Sequence, residues 1–150
     1  MLTYRICRAP YRALDGEGAR LYGGRWNSPG RPVVYTSSTL ALAALEYLIH
    51  IDAADAPADL VALTIDIPDT LAVTHVDAAA LSPGWEQVAT PAVCQEIGDR
   101  WLNAGVTPLL RVPAAPIPEE VNLLIDPHHP AARDVAVLAE RPFFFDPRLL

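Results

Sequence analysis

Three residues between positions 23 and 50 have types and placements that suit a binding site. Arg25 lies in a glycine-rich loop, Tyr35 closes a short β-rich run, and Glu46 lies in an otherwise apolar helical segment. Glycine lets a backbone approach a ligand closely, and arginine offers a planar fork of donors to a phosphate. Together the three placements predict a pocket for a polar, anionic small molecule.

The sequence leaves two interpretations of Glu46 open. It lies one helical turn before His50 in the apolar segment 40–51, so the two side chains share a stripe of the helix. Such a helix is expected to be buried, and a buried carboxylate is costly unless it is paired. Either the two residues form a narrow solvent edge, or Glu46 lies in a cleft, where it orients a hydroxyl or stabilises a cation.

The other candidates have structural alternatives too. Arg25 is either a phosphate ligand or a surface arginine stacked on Trp26, and Tyr35 is either a ring that stacks on a ligand or a core tyrosine. Arg5, in the first strand, means little alone. Asn122 follows the rigid run PAAPIP and is a reasonable pocket wall.

Composition limits the function classes. A chain of 150 residues with a net charge of −7 favours one globular domain and disfavours a nucleic-acid binder. All 11 basic residues are arginines, and six fall in the first 31 positions, which fits an anion site or a codon bias. The N-terminus lacks a signal-peptide pattern, so we expect a cytoplasmic protein without a membrane segment.

Metal and standard nucleotide motifs are not found in the sequence. Cys7 and Cys94 are far apart and fit free thiols, while His128 and His129, between two prolines, fit a turn better than a metal site. Gly16-Glu17-Gly18 lacks the third glycine of a dinucleotide fingerprint, and we expect no helix after it. A P-loop and a serine-hydrolase elbow are also missing.

The patterning predicts an α+β domain with a mostly antiparallel sheet and a few short helices. Helices are expected from Ser37 or Ser38 to about Ile51, from Thr90 and Pro91 to Gly105, and near 131–139. Strands are expected at these segments: 2–6, 32–36, 60–67, 71–76, 109–112, 121–125 and 143–145. Residues 8–31 form a long glycine-containing segment, which is typical of a functional loop.

Seven motifs follow one another along nearly the whole chain: YRI, GGRWN, VVYTS, ALEYLIH, VPAAPIPEEVN, DPHHP and FFFDPRLL. Their order and spacing resemble the RES-domain toxins, which are paired with Xre-like helix-turn-helix antitoxins. The resemblance implies a single RES domain over 1–150 with an ADP-ribosyltransferase-like β core. It also implies an enzyme that binds NAD as substrate, needs no metal and cleaves the nicotinamide–ribose bond. The acceptor of ADP-ribose stays open among a protein, water and phosphate.

The resemblance also implies roles for individual residues. Arg25 and Glu46 match the family's catalytic arginine and glutamate, and its catalytic serine falls at Ala114. The residues that would bind NAD are Arg5, Arg25, Tyr35, Glu46 and Asn122.

Ala114 is a departure from the family pattern, because the motif reads VPAA where the family has V-P-S-A. The missing hydroxyl supports an alternative in which this chain is a catalytically attenuated module that binds NAD and an antitoxin. In either case we expect a hetero-oligomer with the antitoxin.

Overall fold

One seven-stranded sheet organises the chain. The computed structural model describes residues 1–52, 55–89 and 92–150. The strands are β1 (Leu2–Arg8), β2 (Val34–Ser37), β3 (Leu60–Asp66), β4 (Val73–His75), β5 (Leu109–Pro113), β6 (Val121–Ile125) and β7 (Ala136–Pro142). Their order across the sheet is β4-β5-β6-β2-β1-β3-β7, and only β4 and β5 run parallel within the part described.

Three α-helices accompany the sheet in the described part of the chain: α1 (Glu17–Tyr22), α2 (Leu40–Leu48) and α3 (Ala92–Ala104). Short 3-10 turns follow several strands. The prediction of an α+β domain with a mostly antiparallel sheet is confirmed. No described helix is long and apolar enough to span a membrane.

The alternation of side chains along β3 divides the core between the two faces of the sheet. Val61, Leu63 and Ile65 lie on one face, in a cluster with Val34 from β2 and Leu109 from β5. On the opposite face, Ala62 and Ile6 pack under α2, while Leu110 and Leu124 pack with Trp101 of α3. The cores of α2 and α3 are therefore two separate clusters on the same face.

The start of α2 differs from the prediction. Its N-cap is Thr39, whose Oγ1 accepts a hydrogen bond from the Leu42 N–H at 3.1 Å, and the helix ends at Leu48 rather than Ile51. Ser37 cannot cap the helix because it still belongs to β2, where it pairs with β1 and β6. His50 consequently lies beyond the helix.

Helix α3 ends as predicted, at a left-handed glycine. Gly105 has φ +56°, and its N–H donates to the Trp101 carbonyl at 3.1 Å. The predicted cap at Thr90 and Pro91 lies outside the described residues.

The segment after Gly16 and the segment 131–139 were predicted wrongly. A helix, α1, does follow Gly16, but its six residues are too few to show a helical period. Near the C-terminus, the predicted helix at 131–139 is a 3-10 turn over Pro130–Asp134 followed by β7. Every residue of β7 is exposed, so this edge strand lacks the apolar alternation that marks a strand in sequence.

The segment 143–145 is not a strand as predicted, because the last strand, β7, ends before it at Pro142. Phe145 is instead buried beneath α2, with its ring 6.1 Å from that of Tyr47. Phe143 meets Phe145 edge-on at 5.1 Å. The aromatic run therefore seals the α2 cluster.

Along the line between β1 and β2, the two strands have the fewest registered residue pairs of any neighbours in the sheet. Seven residue pairs register β1 with β3, whereas β1 is registered with β2 at Tyr4 and Ser37. The site described below lies along this line.

A buried threonine gives a test of the core. Thr3 is 2% exposed beside Ile65, and among the described residues its hydroxyl is the buried side-chain group without a hydrogen-bond partner. Because an unsatisfied buried hydroxyl is costly, Thr3→Val should raise the free energy of unfolding by about 1 kcal/mol in urea denaturation. Thr36 is equally buried, but its hydroxyl donates to the Leu123 carbonyl at 2.7 Å. Thr36→Val should therefore lower stability, and equal effects of the two substitutions would contradict this description.

Candidate functional site

A cavity of about 920 Å³ lies on the helical face of the sheet, between the α2 and α3 clusters. Its walls come from α1, the loop that follows it, β1, β2 and α2, with Asn122 from β6. This volume is in the range of cavities that hold small ligands. Two sheet residues that border it, Ser37 and Asn122, lie opposite each other in the β2–β6 register.

A chain of hydrogen bonds fixes the carboxylate in this cavity. Asn122 Nδ2 donates to Glu46 Oε1 at 2.6 Å, and Asn122 Oδ1 accepts from the Ser37 hydroxyl at 2.8 Å. Glu46 is half-buried, and this bond uses one of its two carboxylate oxygens. The cleft interpretation of Glu46 thus describes its surroundings better than the solvent-edge one.

His50 does not share the helical stripe of Glu46, since α2 has ended before it. It is exposed and lies at the rim of the cavity.

The arginine loop, residues 23–31, is organised around one buried amide. Asn27 is fully buried, and its Nδ2 donates to the backbone carbonyls of Ala19, Ser28 and Arg31 at 2.9–3.2 Å. Its Oδ1 accepts from the Tyr35 hydroxyl at 2.7 Å. The same hydroxyl accepts from the Trp26 N–H at 3.1 Å. Tyr35 therefore braces the loop through its hydroxyl and borders the cavity.

The protonation state of Tyr35 suits this brace. Burial raises the pKa of its hydroxyl above the usual value of about 10. The Trp26 N–H and Arg25 act in the opposite direction, whereas Asp99 adds to the rise. The phenol consequently stays neutral at physiological pH and can donate to Asn27.

Helix α3 packs against the arginine loop and forms hydrogen bonds to it. Asp99 accepts from the Ser28 N–H at 3.0 Å and from its hydroxyl at 2.5 Å. Gln95 Nε2 donates to the Gly24 carbonyl at 3.2 Å. Gly98 lies so close to the loop that a methyl group there would be 1.6 Å from the Trp26 carbonyl oxygen. Only glycine permits this contact without movement of the helix or the loop.

Arg25 connects the loop to the segment before α3. Its two terminal nitrogens donate to the carbonyls of Trp85 at 2.6 Å and of Gln87 at 2.9 Å. The Trp85 ring packs 6.2 Å from that of Trp26. A guanidinium has five N–H donors, and these two bonds are the ones Arg25 makes within the described residues. Donors are therefore left for a ligand in the cavity that Arg25 borders.

The two remaining predicted residues lie differently. Arg5 borders the cavity, but its partner in β3 is Leu63, which belongs to the other face of the sheet from Glu46. Ala114, directly after β5, is fully buried and is not among the residues that border the cavity, whereas Ala115 is. The structure thus brings together Arg25, Tyr35, Glu46 and Asn122, with Arg5 at the edge.

The cysteines and histidines form no metal site in the described part of the chain. Cys7 and Cys94 are free and buried. Burial raises the pKa of each thiol, and the nearby Arg5 and Arg25, respectively, partly oppose this. His128 and His129 lie in a turn, as predicted, where the carboxylate and carbonyl oxygens of Asp126 accept their backbone N–H groups.

The similarity of this chain to known proteins identifies its family. The family model described as "RES domain" matches residues 2–146. A protein of Sphingobium sp. named "Prs ADP-ribosylating toxin" is 37% identical over 139 residues, which cover 91% of this chain and 86% of that protein. This chain belongs to the RES-domain family. The sequence resemblance is confirmed.

Two further relatives agree with the assignment. "Toxin Res" of Pseudomonas putida is 38% identical over 142 residues, covering 93% of this chain and 94% of that protein. Among solved structures, the M. tuberculosis MbcT-MbcA toxin-antitoxin complex matches this RES domain with a TM-score of 0.79 and 26% identity. That match covers 99% of this chain and 85% of the other.

Sequence reasoning missed four residues that shape the site of this RES domain. The sequence predicts Ser37 only as a helix cap, and Asn27 stands out only as part of the GGRWN motif. Gly98 and Asp99 lie about 70 residues from the loop that they hold, so no local pattern marks them. Asn27 had one signal, since a polar residue between Trp26 and a Ser-Pro-Gly turn suits a loop-bracing amide.

The contact between α3 and the arginine loop can be tested by adding a methyl group. Gly98→Ala should lower the free energy of unfolding by roughly 1–3 kcal/mol, because the clash is with backbone and cannot be relieved by a side-chain rotation. Urea denaturation followed by tryptophan fluorescence measures this.

The matched control is Gly18→Ala in α1, where a methyl group would meet nothing within 4 Å. It should leave stability unchanged or raise it by up to about 1 kcal/mol. An unaltered stability of the Gly98→Ala protein would show that the helix does not hold the loop as described.

Proposed function

We propose that this RES domain is the toxin of a toxin–antitoxin pair and an NAD-cleaving enzyme that releases nicotinamide and transfers ADP-ribose. The observation that carries the proposal is the Glu46 carboxylate, held at 2.6 Å by Asn122 inside a cavity that Arg25 borders. A fixed anion beside a cationic donor fork is the arrangement that a positively charged ribose and a negatively charged pyrophosphate require. The names of the relatives, "Prs ADP-ribosylating toxin" and "Toxin Res", support the same activity.

Each residue has a defined part in the proposed reaction. Arg25 donates to the pyrophosphate with the N–H groups that its backbone contacts leave over, and Arg5 adds positive charge at the edge of the cavity. Tyr35 contacts NAD with its ring, because its hydroxyl already donates a hydrogen bond to Asn27. The free oxygen of Glu46 binds a ribose hydroxyl and stabilises the oxocarbenium-like transition state.

The proposed step balances without a metal or a redox partner. The bond between C1′ of the ribose and the nicotinamide nitrogen breaks, and its electron pair leaves with nicotinamide, which becomes neutral. A bond forms between C1′ and the acceptor atom, which loses a proton. The acceptor is a protein side chain in the transferase form of the reaction, water in the glycohydrolase form and phosphate in the phosphorylase form.

The proposed partner is an Xre-like helix-turn-helix antitoxin that forms a hetero-oligomer with this chain. The matched solved structure is a toxin–antitoxin complex. Exposed apolar side chains are among those that border the cavity, for example Tyr22 (83% exposed) and Val88 (100% exposed). An antitoxin that packs on these side chains would also keep NAD out.

A second candidate is the attenuated module, which binds NAD and the antitoxin but turns over slowly. The observation in its favour is Ala114, where the family pattern has serine. The two candidates differ in nicotinamide release and not in NAD binding, so one assay separates them.

The role of Glu46 gives the direct test. Glu46→Gln should lower the rate of nicotinamide release from NAD by roughly 10²–10³-fold, because the amide keeps the size of the side chain and removes the charge that stabilises the transition state. Chromatographic measurement of nicotinamide checks this. Growth arrest on expression should disappear with the activity, and co-expression of the antitoxin should relieve the arrest caused by the unsubstituted protein.

Glu96→Gln is the matched control, since Glu96 is exposed on α3, away from the cavity. It should keep full activity. NAD carrying a label in its adenylate part identifies the acceptor from the product: labelled protein, free ADP-ribose or ADP-ribose 1″-phosphate. An unsubstituted protein that binds NAD but releases no nicotinamide would favour the attenuated module.

A further inference from the structure

Ser37 borders the cavity, and the family pattern assigns no catalytic or NAD-binding role to it. It is the last residue of β2, and it lies opposite Tyr4 of β1 and Asn122 of β6. It is 4% exposed and borders the cavity. It is thus a hydroxyl group at the weakly registered line between β1 and β2.

The Ser37 hydroxyl is hydrogen-bonded to the group that holds Glu46. Its Oγ donates to Asn122 Oδ1 at 2.8 Å, while Asn122 Nδ2 donates to Glu46 Oε1 at 2.6 Å. An amide has an acceptor end and a donor end, and a partner at the acceptor end decides which way the donor end points. Ser37 therefore keeps the N–H of Asn122 directed at the carboxylate.

The alanine at position 114, in contrast, has no polar side-chain group and takes no part in this chain of hydrogen bonds. Ala114 is fully buried, and its N–H donates to the Glu120 carbonyl at 2.9 Å across the turn that joins β5 to β6. It does not border the cavity. The absence of a hydroxyl at 114 thus leaves the Ser37–Asn122–Glu46 chain complete.

We propose that Ser37 supplies the serine hydroxyl of this site in place of the one missing at 114, as a positioning residue that acts on Glu46 through Asn122. This inference rests on the proposed NAD-cleaving function. Ser37 forms and breaks no covalent bond in the reaction and keeps its proton throughout. Its contribution is to fix one oxygen of Glu46 so that the other faces the ribose.

The kinetic test compares single variants by nicotinamide release. Ser37→Ala should lower kcat roughly 10- to 100-fold, a loss comparable to that found when the outer hydrogen-bond partner of a metal ligand is removed. KM for NAD should change less than about twofold, because the groups that bind the pyrophosphate are untouched. Ser37→Thr retains the hydroxyl and suits a strand, so it should recover most of the activity.

The neighbouring serine provides the control. Ser38 also precedes α2, but it is not among the residues that border the cavity, and Ser38→Ala should keep the activity of the unsubstituted protein. The double variant Ser37→Ala/Ala114→Ser should remain as impaired as Ser37→Ala. Full activity of Ser37→Ala, or recovery of activity in the double variant, would overturn the inference and return the serine role to position 114.

A second readout does not depend on turnover. The side-chain amide of Asn122 gives a pair of signals in a ¹⁵N–¹H correlation spectrum, and its two partners set their positions. Ser37→Ala should shift both signals and speed their exchange with solvent, whereas Ser38→Ala should leave them in place. Unshifted Asn122 signals in a folded Ser37→Ala protein would overturn the inference.

The two readouts separate this inference from the proposed function. If the unsubstituted protein releases no nicotinamide, the proposed function fails, and the spectrum alone still decides whether Ser37 orients Asn122. If the unsubstituted protein is active and Ser37→Ala is equally active with unshifted signals, the function stands and the role of Ser37 is wrong.

Discussion

The hydrogen bond from Asn122 to Glu46 is the interaction around which the site is built. It joins the sheet to α2 across 2.6 Å and connects residues 76 positions apart in the chain. A carboxylate on a half-buried helix is costly unless it has a hydrogen-bond partner, and here the partner is the Asn122 amide on β6. Because α2 packs on Ile6 and Ala62 through the rest of its apolar face, the bond also fixes how the helix lies over β1.

The opposite wall of the cavity is positioned independently of α2. Asn27 ties the arginine loop to itself and to Tyr35, and α3 holds the loop from behind through Asp99 and the close contact at Gly98. Arg25 thus reaches the cavity from a braced loop, while Glu46 reaches it from a braced helix. The line between β1 and β2 runs between this loop and this helix. The cavity therefore lies where the two strands have only one registered residue pair.

The parts of the structure that the sequence predicted are those whose signal is local. The alternation of Val61, Leu63 and Ile65 gave β3, and the α+β class with its mostly antiparallel sheet followed. Arg25, Tyr35, Glu46 and Asn122 are all predicted as site residues from the sequence, and all four border one cavity. The sequence could not reveal Gly98 and Asp99, because their purpose is a contact with a distant loop. Nor could it reveal Ser37, whose role depends on its register with Asn122, nor β7, an exposed edge strand without an apolar pattern.

The most direct measurement is a crystal structure of the Glu46→Gln protein with NAD, since this variant should bind the substrate and turn it over slowly. The nicotinamide ribose is predicted to lie beside residue 46 with its hydroxyl within hydrogen-bond distance, and the pyrophosphate to lie against Arg25. NAD bound elsewhere, for instance in the smaller cavity beside His129 and Arg133, or in the described cavity with its ribose turned away from residue 46, would contradict the assignment of Glu46 as the group that acts on the ribose.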